Sequence, residues 1–137
     1  MFFITSSIDM TKNVITINNV QTLNNIIINK NIKLMLIFSL QKCNPCKQLA
    51  SILDELFKTA SDNEISIPLQ VIKFDYYLLS PDDKQLFNTF PTTIVLQPEQ
   101  LSMIDDNESL IQYGMNKGSV YIGQIQQLCD DHNLVSF

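Results

Sequence analysis

The chain of 137 residues has no tryptophan and no arginine, a single histidine and only three cysteines. All nine basic residues are lysines that form no run, and the formal net charge is −5, so a nucleic-acid-binding surface is not expected. An odd number of cysteines, two of them in one short motif, does not match the disulfide framework of a small secreted protein. The composition favours a reducing compartment, and we therefore expect a cytoplasmic protein.

Long hydrophobic runs are also missing. Nowhere do about 18 apolar residues follow one another, as a membrane-spanning helix requires, and the apolar residues 2–4 are too few for the core of a signal peptide. With 45% hydrophobic residues, a chain of 137 residues can form one domain with a core of ordinary size, and a second domain would not fit. We predict one domain, residues 1–137, made of an N-terminal extension, 1–13, and a core fold, 14–134.

The feature that carries chemistry is Cys-Asn-Pro-Cys at residues 43–46, between the apolar run 34–38 and the amphipathic segment 49–57. This order predicts a buried strand, a short turn and a helix start. A cysteine at a helix N-terminus is favoured as thiolate, with a pKa lowered from about 8.5 toward about 3.5–7.5, and the thiolate attacks disulfides. Cys46, one turn later, can displace Cys43 from a mixed disulfide. The spacing therefore predicts dithiol–disulfide exchange.

Two other interpretations of the cysteine pair stay open. In the first, the pair supplies two of the four ligands of a zinc site. Zinc then needs two more ligands, and the chain offers only Cys129 and His132 near its end. Pro45 favours a helix start over a zinc knuckle, because proline is pre-organised for the first helical turn. A redox-inert structural pair is the other. We interpret Cys129 as a buried small hydrophobe, and His132 as a solvated residue or one at a helix C-terminus, where it favours the dipole.

The coarse pattern alternates strands and helices and then ends in an antiparallel part, which is typical of an α/β fold. We predict strands at 14–17, 33–40, 69–76 and 90–97, an edge strand at 109–113 closed by Gly114, and helices at 20–31, at 45–61, from Pro81 with Ser80 as N-cap, and at 117–132 with Tyr121 inward. A right-handed crossover then places Cys43 at the carboxyl edge of a central strand, where α/β sheets place their sites.

Taken together, these residues resemble the thioredoxin family from about residue 14 to residue 134. The resemblance is carried by the strand before Cys43, the segments 43–47 and 51–56, the strand 71–75, Phe90-Pro91-Thr92 ahead of a strand, and Gly114 ahead of the last helix. Each motif alone is weak, whereas all of them in this order are specific. The resemblance implies the thioredoxin fold, a central mixed sheet flanked by helices on both faces.

The resemblance also implies an activity, that of a protein-disulfide oxidoreductase in which Cys43 attacks and Cys46 resolves. Neither a metal nor a cofactor is implied beyond the Cys43–Cys46 disulfide; the partners are protein disulfides and a thioredoxin reductase or another external reductant, without nucleic acid or membrane. Pro91 is expected in the cis form facing the cysteines, with the backbone of Phe90 offered to an extended substrate segment. The residues expected to contact substrate are Lys42, Asn44, Pro45, Phe90 and Pro91.

The chain departs from the family pattern at three positions. Lys42 replaces the tryptophan that usually precedes the first cysteine, and Asn44 replaces a glycine, which changes docking and redox poise. Ile37 stands where the family has a buried aspartate that helps to deprotonate the resolving cysteine. Lys73 is then a candidate proton relay, or water serves instead.

Two other functions remain as alternatives. The missing tryptophan and the missing carboxylate also fit a non-enzymatic interaction module on the same fold. A glutaredoxin-like enzyme is a weaker alternative, because no arginine is present to bind a glutathione carboxylate in the bidentate way.

Overall fold

The computed structural model describes residues 14–17, 31–104 and 109–134. The predicted N-terminal extension, and nearly all of the helix predicted at 20–31, lie outside these residues. The strands are β1 (Val14–Ile17), β2 (Lys33–Ser39), β3 (Leu69–Asp75), β4 (Thr92–Leu96) and β5 (Ser119–Ile122). The helices are α1 (Asn44–Asp62), a 3₁₀ turn (Tyr76–Leu78), α2 (Pro81–Lys84), α3 (Pro98–Leu101), α4 (Leu110–Lys117) and α5 (Ile125–His132).

The five strands form one mixed sheet in the order β1-β3-β2-β4-β5. Strands β1, β3 and β2 run parallel, β4 is antiparallel to β2, and β5 is antiparallel to β4. β2 therefore lies at the centre, which explains why residues 34–38 are apolar on both faces and all buried. The predicted α/β class with a mixed central sheet is confirmed.

Side chains of β2 alternate between two cores, because successive residues of a strand point to opposite faces. Leu34, Leu36 and Phe38 belong to the core that α4 covers, which we call the α4 face. Met35 and Ile37 belong to the core that α1 and α5 cover, which we call the α1 face. Helices therefore lie on both faces of the sheet, as expected. Among the described residues, no helix is long and apolar enough to span a membrane.

Helix α1 begins and ends close to the predicted bounds, and α2 begins at Pro81 as predicted. The hydroxyl of Ser80 accepts a hydrogen bond from the backbone N–H of Asp83, so the predicted N-cap is present.

The order of the last elements was predicted wrongly. The predicted edge strand 109–113 belongs instead to helix α4, whose N-cap is Ser109, with its hydroxyl accepting from the N–H of Gln112. Gly114 does not close a strand but lies inside α4, where a Cβ atom would come within 2.8 Å of the Ile94 side chain. This close helix-to-sheet approach is a tertiary effect that the local pattern does not reveal.

The edge strand is β5, and the last helix begins at Ile125 rather than at 117. Tyr121 is accordingly a buried residue of β5 and not part of a helix face. The glycine ahead of the last helix is Gly123, not Gly114; it has a φ of 66°, a left-handed conformation that glycine adopts without strain. Its N–H donates to the carbonyl of Pro91 at 2.9 Å, which ties the end of β5 to the start of β4.

Candidate active site

The cysteine pair lies at the N-terminus of α1, on the carboxyl side of the central strand. Cys43 is the N-cap residue, with extended backbone angles of −128° and 109°, and its sulfur accepts a hydrogen bond from the N–H of Cys46 at 3.2 Å. The N–H of Lys47 donates to the carbonyl of Cys43 at 3.1 Å and closes the first turn. Pro45 lies in this turn, where its missing N–H leaves no hydrogen bond unmade, so the predicted helix start is confirmed.

A disulfide joins Cys43 and Cys46, whose Cα atoms are 5.2 Å apart. The side chains are almost equally exposed, at 9% for Cys43 and 8% for Cys46, so residue exposure does not separate an open attacking thiol from a shielded one. Position in the helix does separate them. The sulfur of Cys43 caps the helix, whereas Cys46 begins the buried stripe that continues through Leu49 and Leu53.

The electrostatic surroundings of Cys43 favour negative charge on its sulfur. The first turn of α1 contains no acidic residue, and Lys42 and Lys47 are exposed on either side of the motif. The N-terminal end of a helix carries partial positive charge, and the N–H of Cys46 points at the sulfur. Backbone groups are therefore the main source of positive potential at the Cys43 sulfur.

Pro91 directly precedes β4, and the residue before it, Phe90, lies against this helix end. The Phe90–Pro91 peptide bond is cis, as the resemblance implied. The sulfur of Cys43 lies 3.7 Å from the carbonyl oxygen of Phe90, and Pro91 itself is buried. The hydroxyl of Thr92 donates to the carbonyl of Thr89 at 2.6 Å and holds the turn in place. The structure thus brings Phe90, 47 residues along the chain, next to Cys43, and with it the cis bond to Pro91. Around them, Lys42, Asn44 and Pro45 are exposed.

Ile37 lies on the α1 face and is 3% exposed. In the sheet it pairs with Lys73 of β3 on one side and with Thr93 of β4 on the other. Lys73 is partly buried and lines a small depression of about 170 Å³ together with Ser39 and Asp75. The candidate proton relay is therefore the direct neighbour of Ile37; its role remains a prediction.

A ring cluster beside the cysteines was not foreseen from the sequence. The Tyr76 ring packs edge-on against the Phe90 ring at 4.9 Å and against the Tyr77 ring at 5.7 Å, measured between centroids. The carboxylate of Asp75 accepts hydrogen bonds from the N–H of Tyr77 at 3.0 Å and from the side chain of Gln41 at 3.3 Å. It thereby links this segment to the loop before Cys43. The sequence feature that could have indicated this cluster is Tyr-Tyr-Leu at residues 76–78, directly after β3.

Where β2 begins, a hydrogen-bonded group of ionisable side chains joins α5 to the sheet; we call it the His132 cluster. The hydroxyl of Tyr121 donates to the carboxylate of Asp131 at 2.7 Å and lies 3.1 Å from Nε2 of His132. Nδ1 of His132 lies 3.1 Å from the ammonium of Lys33. Because Lys33 can only donate, Nδ1 accepts and Nε2 carries the proton, which it donates to the Tyr121 oxygen.

The His132 cluster corrects the expectation that His132 is solvated. The residue does end α5, but it is partly buried, and burial, followed by the nearby charge of Lys33, lowers its pKa below 6.5. A neutral His132 does not add a positive charge to the helix C-terminus. Burial and the hydrogen bond to Asp131 raise the pKa of Tyr121 to about 12.

Cys129 is the unpaired cysteine, 4% exposed in the core of the α1 face, as predicted. Burial, together with the charge of Asp130, raises the pKa of its thiol. Among residues 14–17, 31–104 and 109–134, no group of three or more metal-binding side chains could hold a metal ion.

Comparison with known proteins gives a match at the level of structure. No protein-family model and no curated protein sequence matches the chain. The reduced thioredoxin pre-protein of Schistosoma mansoni is similar at a TM-score of 0.58 and 17% identity, over 89% of this chain and 97% of that one. Oxidised mitochondrial thioredoxin 3 of Saccharomyces cerevisiae is similar at a TM-score of 0.55 and 18% identity, over 91% of this chain and 98% of that one. A chain from the complex of ferredoxin:thioredoxin reductase with thioredoxin f2 is similar at a TM-score of 0.53 and 18% identity, over 86% of this chain and 90% of that one. The chain has the thioredoxin fold.

Proposed function

We propose that the protein is a thiol–disulfide oxidoreductase that exchanges its Cys43–Cys46 couple with disulfides of protein substrates. One observation carries the proposal: the two cysteines form a disulfide at the N-terminus of α1, with the carbonyl of Phe90 beside Cys43. The thioredoxin fold around this pair supports it. The exchange needs only sulfur chemistry at this site and an external reductant.

The reaction begins with the protein in its dithiol form. The Cys43 thiolate attacks one sulfur of the substrate disulfide, a new S–S bond forms, and the other substrate sulfur leaves as a thiolate that takes up a proton. Cys46 then loses its proton and attacks the sulfur of Cys43. The Cys43–Cys46 disulfide forms, and the second substrate sulfur leaves. The substrate gains two electrons and two protons, and an external dithiol later returns them to the protein.

The substrate segment is held where the cysteines and the Phe90–Pro91 turn meet. In a mixed disulfide on Cys43, the substrate chain lies next to Phe90, whose carbonyl is 3.7 Å from the attacking sulfur. An extended segment can pair with the backbone there in the manner of an added strand. The exposed residues Lys42, Asn44 and Pro45 form the rest of the contact area.

Deprotonation of Cys46 is the demanding step in this site. The apolar Ile37 occupies the α1 face of the central strand, and a general base is typically worth about 10²–10⁴ in rate. Water takes this proton, or Lys73, which pairs with Ile37 across the strands, relays it, and neither is as effective as a positioned carboxylate. Turnover is accordingly slower than with a carboxylate in place of Ile37.

We further propose protein disulfides and a thioredoxin-reductase type of enzyme as partners. Two similar structures have such partners: one is thioredoxin f2 in complex with ferredoxin:thioredoxin reductase, and the other concerns thiol resolution in a yeast mitochondrial 1-Cys peroxiredoxin by glutathione and thioredoxin systems. We propose the cytoplasm as the compartment, because a reducing environment keeps the couple supplied with electrons and leaves Cys129 unoxidised.

Reduction of insulin by dithiothreitol tests the proposal. The wild-type protein is expected to accelerate the reaction over dithiothreitol alone, and Cys43→Ser is expected to abolish the acceleration. In a separate experiment without dithiothreitol, pre-reduced Cys46→Ser should instead accumulate a mixed disulfide between Cys43 and insulin. Cys129→Ser is the matched control, since this cysteine is buried away from the motif, and it should retain the activity. Equal rates for the wild type and Cys43→Ser would contradict the proposal.

A non-enzymatic interaction module is a second candidate, favoured by the apolar residue at position 37. Such a module binds partners through the same surface without needing to resolve a disulfide. It replaces the first candidate if the wild type does not accelerate insulin reduction and if Cys43→Ser captures the same partners with the same affinity.

A further inference from the structure

The chain has no tryptophan before its first cysteine, yet an aromatic surface lies close to the site on a different element. It is built from the 3₁₀ turn after β3, where Tyr77 is 60% and Leu78 is 47% exposed. Tyr77 and Leu78 are neighbours on this turn, and Tyr77 packs against Tyr76, whose ring in turn contacts Phe90 beside the cysteine pair.

Ring contacts connect this surface to the attacking sulfur. The Cys43 sulfur lies 3.7 Å from the Phe90 carbonyl, the Phe90 ring contacts Tyr76, and Tyr76 contacts Tyr77. The Tyr77 ring is thus at most about 11 Å from the Phe90 ring, a distance that an extended chain covers in about three residues.

The backbone under Tyr77 is held before any substrate arrives. Its N–H donates to the carboxylate of Asp75, which also accepts from Gln41, two residues before Cys43. The Leu79 N–H donates to the Tyr76 carbonyl at 3.1 Å and closes the turn. A contact on Tyr77 therefore requires little ordering of the protein, which favours binding.

We propose that Tyr77 determines substrate choice, so that the protein prefers disulfides with an aromatic or large apolar side chain about three residues from the attacked cysteine. This inference rests on the proposed function and names its substrate class. The occupant of the surface is the substrate chain itself, because its covalent bond to Cys43 holds it beside Phe90. Ile122, 50% exposed and next to the glycine that binds the Pro91 carbonyl, supplies an apolar edge on the other side.

The test uses single-cysteine peptides, each carried as a mixed disulfide with thionitrobenzoate, so that attack by reduced protein on the peptide sulfur releases the coloured thionitrobenzoate. Two peptides differ only in having Phe or Ser three residues before the cysteine, and a second pair varies the position three residues after it. The mixed disulfide of 2-mercaptoethanol with thionitrobenzoate has the same leaving group and no side chain to bind.

We expect the wild type to react with a Phe peptide about two- to tenfold faster than with its Ser partner, the range for one aromatic contact. Tyr77→Ser should lose this preference and keep the wild-type rate with the 2-mercaptoethanol compound, whereas Tyr77→Phe should keep the preference. Met103→Ser is the matched control: Met103 is 73% exposed beyond the far end of β4, and its loss should change nothing. Urea midpoints check that all variants fold.

A preference that survives in Tyr77→Ser, or that also disappears in Met103→Ser, would overturn the inference. The same holds if the wild type reacts with all four peptides at equal rates. If the wild type reacts with neither the peptides nor the 2-mercaptoethanol compound, the proposed function itself fails, so the two failures are distinct.

Discussion

The cysteine site and the His132 cluster use ionisable groups in opposite ways. Around Cys43 and Cys46 the charge is controlled by the N-terminus of α1, and the central strand contributes the apolar Ile37. In the His132 cluster, where β2 begins, four ionisable side chains form a chain of hydrogen bonds. The reactive site thus depends on backbone N–H groups, whereas the side chains that titrate fasten α5 to the sheet. Redox chemistry and the pH dependence of stability should therefore be separable.

The largest expected effect comes from giving the cysteine site the carboxylate it lacks. Ile37→Asp should speed resolution of the mixed disulfide by about 10²–10⁴, because a positioned general base contributes that much. The same change should lower stability, since an unpaired buried carboxylate loses several kcal/mol of hydration. Single-turnover kinetics and urea midpoints measure the two effects.

Ile37→Asn is the matched control for this prediction. It has the shape and polarity of aspartate but accepts no proton, so it should lower stability without speeding resolution. If Ile37→Asp left the rate of resolution unchanged, another group must already act as base. Lys73→Met would then be expected to slow that step, since Lys73 pairs with position 37.

The sequence was sufficient where local pattern decides structure. The apolar run of β2, the motif with Pro45 and the stripe of α1 each specify an element by their own periodicity, and these place Cys43 at a helix start. Phe90–Pro91 was placed beside the cysteines by resemblance and not by pattern.

The sequence does not predict the structure where contacts between residues far apart in the chain determine it. Gly114 lies in a helix that approaches Ile94 so closely that no Cβ fits there, and a local pattern cannot show that contact. The sequence predicts that His132 is solvated or ends a helix; it does end α5, but its contact with Lys33, 99 residues away in the chain, cannot be predicted from a local pattern. The ring cluster of Tyr76 was missed for the same reason, since its partner Phe90 comes from another strand end.

A second prediction tests whether backbone groups alone separate the two cysteines of the site. With less than one equivalent of iodoacetamide near neutral pH, reduced protein should be labelled at Cys43 roughly tenfold faster than at Cys46, because the helix N-terminus favours only the Cys43 thiolate. Exposure does not predict this, since the two residues are 9% and 8% exposed. Peptide mapping by mass spectrometry gives the order of labelling.

Cys129 provides the internal reference for that experiment. It is buried, and its thiol pKa is raised, so it should react last. Faster labelling of Cys46 than of Cys43 would reverse the roles assigned to them, and faster labelling of Cys129 would mean that the core of the α1 face opens readily.

The smallest expected effect is a pH dependence of stability that belongs to the His132 cluster alone. The folded protein holds the pKa of His132 below 6.5 by burial and by the charge of Lys33. As the pH falls below about 6.5, the unfolded chain binds a proton that the folded protein does not, so the free energy of unfolding decreases with falling pH. The pKa of Asp131 is lowered by its hydrogen bonds to Tyr121 and Gln127, and this carboxylate therefore loses its contribution only below about pH 4.

The change in the free energy of unfolding between pH 7.5 and 5.5 accordingly reports on His132, the only histidine in the chain. Urea midpoints of the oxidised wild type, in which the Cys43–Cys46 disulfide does not titrate, should fall over this range. His132→Gln, which can still accept from Lys33 and donate to Tyr121, should flatten the curve. The preference of iodoacetamide for Cys43 over Cys46 should be the same in both proteins, because the cluster does not contact the cysteines. A wild-type midpoint that does not change with pH would show that His132 is as easily protonated in the folded protein as in the unfolded chain. A Cys43 preference that changes with His132→Gln would instead mean that the two regions are coupled through the sheet.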